Sequence, residues 1–105
     1  MTHSLICDRS FKFAVRIVKL CDRIAPRGLG ARHIAAQLVR CGTSIGANAE
    51  EAQEGQTKAD YIAKMSVSSK EARESHWWLR LGVAAGVVKK DEVEGSSPDR
   101  GRSVQ

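Results

Sequence analysis

No stretch of this sequence alternates with a period of two for long enough to make a strand, and no apolar run approaches the roughly 18 residues of a membrane span. Cysteine is scarce. Cys7, Cys21 and Cys41 make an odd number with no C-x-x-C pair, which argues against a disulfide framework and fits a reducing compartment. The opening "MTHSLICDRSF" lacks the basic-then-apolar layout of a signal peptide, so a cytoplasmic location is expected. Catalytic signatures are missing as well. Ser44 has no G-x-S-x-G around it and no strand before it, and "GTSIGAN" lacks the Lys-Ser/Thr pair of a phosphate loop. His3, His33 and His76 show no ligand spacing with the cysteines. The paired E-x-x-H motifs of a metal-carboxylate bundle are also absent, because Glu71 is followed at the third position by Glu74, and Glu74 by Trp77. The expectation is a protein with no catalytic residues, no metal and no cofactor.

What is present is helical. At 105 residues the chain makes one small domain near the lower limit for an adequate core, so help from an oligomer is plausible on size alone. Punctuation divides it into three long periodic segments. The first runs from about 8 to 25, with Asp8 or Ser10 as N-cap and Pro26, Gly28 and Gly30 ending it. The second spans about 31 to 54. The third spans about 57 to 86, opening on Thr57 with Asp60 as a capping box. This pattern predicts an all-α fold, an antiparallel up-down bundle occupying residues 1–94. "GSSPDRGRSVQ", residues 95–105, is Gly, Ser, Pro and charge with one valine, and is expected to be a disordered tail.

Placing residues at 100° steps shows what each helix requires of its neighbours. The first carries two apolar stripes side by side, Phe11, Ala14, Val15, Val18 and Cys21 beside Phe13, Ile17, Leu20 and Ile24. Together they cover more than half the circumference, more than a peripheral helix of a monomer needs, and self-association is the simplest reason. Opposite them, Lys12, Arg16, Lys19 and Arg23 share a wedge of about 60°. The formal charge of +5 is ordinary for solubility, but this concentrated ridge suits a phosphate backbone, RNA or DNA. The third helix repeats Ile62, Met65, Ser69, Ala72, His76, Leu79 and Val83 in strict 3-4 spacing, a packing seam on which His76 reads as a core histidine. Trp77 and Trp78 cannot share one face, so one of them meets a neighbour. In the second helix Ile34, Leu38, Cys41, Ile45, Ala49 and Ala52 form the core stripe. Gly42 and Gly46 lie along its edge as a small-x-x-x-small groove, where close backbone approach offsets about 1 kcal/mol of lost propensity per glycine. Arg40, Arg73 and Arg80 are expected to form structural ion pairs with Glu50, Glu51, Glu71 and Glu74.

The run R-x-G-T-S-I-G-A-N-x-E-E-A, here Arg40 to Ala52, followed by K-E-A-R-E-x-x-x-W-L-R-L, here Lys70 to Leu81, resembles the four helix bundle protein family, the 23S rRNA intervening-sequence proteins. The likeness covers roughly residues 8 to 94. It implies a bacterial antiparallel four-helix bundle that assembles into a ring-like homopentamer with no established enzymatic activity. The accessory protein of diversity-generating retroelements, similar in fold, works with a reverse transcriptase and nucleic acid, so a partner of either kind is implied here. The alternative implied by the same resemblance is a passenger protein of the intervening sequence with no specific ligand. One departure stands out. Where the family continues into a fourth amphipathic helix, "KKDEVE" begins one and the tail abandons it, which points to a truncated or frame-shifted copy whose fourth helix is missing.

Overall fold

The computed structural model describes residues 4–94, and the expectations for residues 95–105 lie outside them. Three long helices and one short one follow in order: α1 Leu5–Ile24, α2 Leu29–Gln53, α3 Lys58–Ala84 and α4 Lys90–Glu94, with a 3-10 turn at Ala25–Arg27. No strand occurs among the described residues. The start of α1 corrects the sequence-based N-cap. Ser4, not Asp8 or Ser10, caps it, its side chain accepting the Cys7 N–H at 3.1 Å, while Asp8 sits in the first turn where the helix dipole favours a carboxylate. Ser10 is buried inside the helix and donates its hydroxyl to the Ile6 carbonyl at 2.8 Å. Thr57 caps α3 by accepting the Asp60 N–H at 3.0 Å. That helix ends on Gly86 at φ +76°, with Val87 N–H bonded to Gly82 C=O and Gly86 N–H to Val83 C=O, the Schellman pattern that a left-handed glycine permits.

α2 is the central element, packed against α1 on one side and α3 on the other. The register runs downward along both contacts. Gly42 faces Ile17 and Gly46 faces Ser10; Ser68 meets Ile45, Ser75 meets Cys41 and Gly82 approaches Ile34. Both neighbours of α2 are therefore antiparallel to it. The core lies mainly between α1 and α2, where Phe13, Ile17, Leu20, Cys21 and Ile24 pack on Ile34, Ala35 and Leu38, closed by Leu79 and Val88. Ile17, Leu20, Ile24 and Leu38 are wholly buried, each contributing roughly 1.5–3 kcal/mol by removal from water. Of the two stripes on α1, the Phe13 stripe goes inward. Phe11, Val15 and Val18 stay exposed.

α3 overturns the expected seam. Against α2 it places Ser68, Ser75, Leu79 and Gly82, and of the predicted line only Leu79 is fully buried; Ile62, Ser69, Ala72 and His76 are exposed. His76 is accordingly not a core histidine. The physical reason is partnership. Small residues at Ser68, Ser75 and Gly82 let α3 approach α2 closely, Ser68 Oγ donating to the Ile45 carbonyl at 2.8 Å, and this turns the 3-4 stripe sideways toward α1. Between α1 and α3 a groove of about 860 Å³ remains open, floored by Ile45. The fourth helix has five residues and closes one end of that groove through Val93.

Candidate functional site

Lys12, Arg16, Lys19 and Arg23 lie on one wedge of α1 because a 3-4 repeat returns to the same side of a helix, and eleven residues separate the outer pair by about 16 Å. Lys12, Lys19 and Arg23 are exposed and Arg16 is half-buried. The last cation has a partner that sequence reasoning missed. Arg23 Nε lies 3.4 Å from Glu92, which also takes a two-pronged contact from Arg27, with both nitrogen-oxygen distances at 3.0 Å. Glu92 Oε1 further accepts the Lys89 N–H at 2.9 Å, the reach-back of a capping box at the start of α4. Arg27, then the Lys89 amide, hold the Glu92 carboxyl down at about 2. The C-terminal end of the ridge is thus partly neutralised, and its weight falls on the stretch from Lys12 to Lys19.

Beside the ridge on the same helix lies a shallow apolar depression of about 540 Å³. Phe11, Ala14, Val15 and Val18 line it from α1, and Thr43, Gly46 and Ala47 from α2. Phe11 is 63% exposed, a large aromatic left in water. Gly42 and Gly46 form the join underneath: a Cβ added at Gly42 would meet Ile17 Cγ2 at 2.9 Å, and one at Gly46 would meet Ser10 Oγ at 3.1 Å. Ala49 continues this line fully buried, while Ile45 turns to the groove.

The α2–α3 junction carries the other charged cluster. Arg40 pairs with Glu71 at 3.5 Å and with Glu74, whose carboxylate also accepts Trp78 Nε1–H at 3.1 Å. The Trp78 indole and then Arg40 hold the Glu74 carboxyl below its ordinary value. Trp78 leans edge-on against His33 of α2 with ring centres 5.5 Å apart, while Trp77 is half exposed. Cys41 Sγ comes within 4.8 Å of both carboxylates, with the Ser75 hydroxyl 3.1 Å from the sulfur. Arg40 supplies in this cluster the positive charge that a metal would bring. Burial pushes the Cys41 thiol up and the Cys21 thiol up to about 11, so both sulfurs are small packing groups and not nucleophiles. Two expected cations form no ion pair among the described residues. They are Arg73, which donates to Ser69 Oγ at 3.1 Å, and Arg80. Glu51 pairs with Lys64 at 2.7 Å, and Glu50 stands at the edge of the Phe11 depression.

Comparison with known proteins agrees with this architecture. The family model of the 23S rRNA-intervening sequence protein matches residues 2–99. A crystal structure of a protein with unknown function, from the S23 ribosomal protein family of Bacteroides thetaiotaomicron, is similar at 34% identity with a TM-score of 0.82. The match covers 93% of this chain and 90% of that one. Among curated proteins, none matches. No helix among the described residues is long and apolar enough to cross a membrane.

Proposed function

The chain belongs to the 23S rRNA-intervening sequence protein family, and from that premise we propose that it is a non-enzymatic, cytoplasmic, homo-oligomeric scaffold that holds the backbone of RNA or DNA. The observation that carries this reading is the arrangement on α1. One face of the helix is buried, a second exposes Phe11, Val15 and Val18, and the third presents Lys12, Arg16 and Lys19. An apolar face left in water invites a second copy, and joining copies through it aligns several short ridges that are individually weak. Repeated weak phosphate contacts then add through effective concentration.

The test is a salt titration of binding to rRNA fragments and to random duplexes, on protein whose assembly state is fixed by light scattering. Binding is expected to weaken steeply with salt and to disappear when Lys12, Arg16, Lys19 and Arg23 are all changed to Gln. Salt-independent binding overturns the ridge. Weak, uniform binding to every nucleic acid favours the other reading, a passenger protein with no specific ligand, toward which the Arg23–Glu92 pair already leans by occupying one of the four cations.

A further inference from the structure

Trp77 serves none of the roles above. It stands on the outer side of α3 and is 50% exposed, a large planar ring left open to a partner. At 100° per residue Lys70, Arg73, Trp77 and Arg80 fall in a wedge of about 80°. That wedge lies opposite Ser68, Ser75 and Gly82, the side by which α3 packs on α2. All three cations are exposed, and no carboxylate of α3 falls among them. Arg73 bonds only to Ser69 Oγ, at 3.1 Å. Glu74, next round the helix, is turned away to Arg40 and the Trp78 indole N–H. From Lys70 to Arg80 the strip is about 15 Å long.

The ring is held in place before anything binds. Trp77 meets Trp78 edge-to-face with ring centres 4.9 Å apart, and Trp78 is pinned by its N–H to Glu74 at 3.1 Å and by its edge contact with His33. A fixed indole loses little freedom when a ligand stacks on it. Arg73 lies one turn before it and Arg80 one turn after, so a ligand on the ring has a cation on either side. One indole among three cations supplies little of the roughly 800 Å² that each partner of a stable protein interface buries. It does suit a flat base with a phosphate at each end. We infer that the outer face of α3 takes an unpaired strand of nucleic acid, one base stacked on Trp77 and the adjoining phosphates held by Arg73 and Arg80. A base inside a duplex has both faces covered by its neighbours and cannot stack there, so this face selects single strand over duplex. The inference rests on the nucleic-acid reading and adds a base-binding site on a different helix from the Lys12–Lys19 ridge.

The probe is an end-labelled oligodeoxythymidine of about 12 nucleotides, titrated into the full chain beside the same strand paired to its complement. Trp77→Leu keeps an apolar side chain and removes the ring. It is expected to weaken the single strand about tenfold and to change duplex affinity less than about twofold. Trp77→Phe, which keeps a ring, is expected to recover most of the loss. Arg73→Gln with Arg80→Gln is expected to reduce the salt slope for the single strand by about 1.4, the value for two phosphate contacts, whereas Trp77→Leu leaves that slope unchanged. Single-strand affinity that Trp77→Leu does not alter overturns the inference, and so does an equal loss on both nucleic acids. A change of assembly state in Trp77→Leu, read by light scattering, also overturns it, because the indole would then be packed against a second copy. Retained duplex binding with a single strand indifferent to Trp77 removes the α3 site alone; no binding of either nucleic acid by the parent protein removes the nucleic-acid reading with it.

Discussion

At the residue scale the glycines divide by what surrounds them. The nearest atom to a methyl group added at Gly42 is Ile17 Cγ2, 2.9 Å away, and Ile17 is wholly buried and has nowhere to retreat. Gly42→Ala therefore gains helix propensity worth about 1 kcal/mol yet is expected to lose about 1–3 kcal/mol to overpacking, a net destabilisation. Gly30, in the first turn of α2, has no atom within 4 Å of the same added carbon and no positive φ. Gly30→Ala is expected to stabilise by about 0.5 kcal/mol through the unfolded state. Urea unfolding of the two variants is expected to move the midpoint in opposite directions. A shift of the same sign in both would mean that the α1–α2 contact is looser than the geometry requires. The small residues on α3 follow the same logic, since Ser68, Ser75 and Gly82 recur at intervals of seven on the side facing α2. That spacing is visible in the sequence, but it is masked by the more apolar seam next to it.

At the element scale, α4 is held by charge more than by area. Five residues cannot sustain a helix alone, and here Glu92 ties the turn back to Arg23 in the last turn of α1 and to Arg27 in the 3-10 turn after it. Its carboxyl titrates at about 2 in the folded protein against an ordinary 4.5. The stabilisation from this pair is thus complete above about pH 4.5 and is lost as the pH falls from there toward 2. Glu92→Gln is expected to cost about 1 kcal/mol at neutral pH, the partly exposed site limiting the effect. Acid unfolding followed by circular dichroism is expected to show the variant converging on the parent as the pH falls through about 2, where the parent's carboxyl becomes neutral as well. Parallel stability curves across that window would mean that Glu92 is not tied to Arg27 in solution.

At the scale of the whole molecule, the described residues leave two apolar surfaces open on different sides, the Phe11 face of α1 and the groove between α1 and α3. Phe11→Asp with Val15→Asp places charge on an exposed face, so the fold is expected to survive while light scattering reports a monomer. Loss of assembly is then expected to weaken apparent nucleic-acid affinity by about a hundredfold, with the ridge itself intact. A double variant that assembles and binds as the parent does would assign the Phe11 face no part in either.

What the sequence determined by itself was local. The all-α class, the three long helices and the contrast between apolar and basic sides of α1 follow from a 3.6-residue period, which each segment carries whatever its neighbours do. Helix ends were legible to within a few residues, the exception being the start of α1, where Asp8 and Ser10 compete as caps with Ser4 and only the Ser4–Cys7 bond decides. The tertiary structure settled what each face meets. Phe13 and Phe11 belong to equally plausible stripes, and burial of the first depends on the register of α2. The strict seam on α3 lies open because small residues elsewhere on that helix allow a closer contact with α2. Arg23 finds its partner in Glu92, 69 residues onward. A side chain's periodicity is written within one turn of the chain, but its partner is chosen by the packing of segments that the sequence keeps far apart.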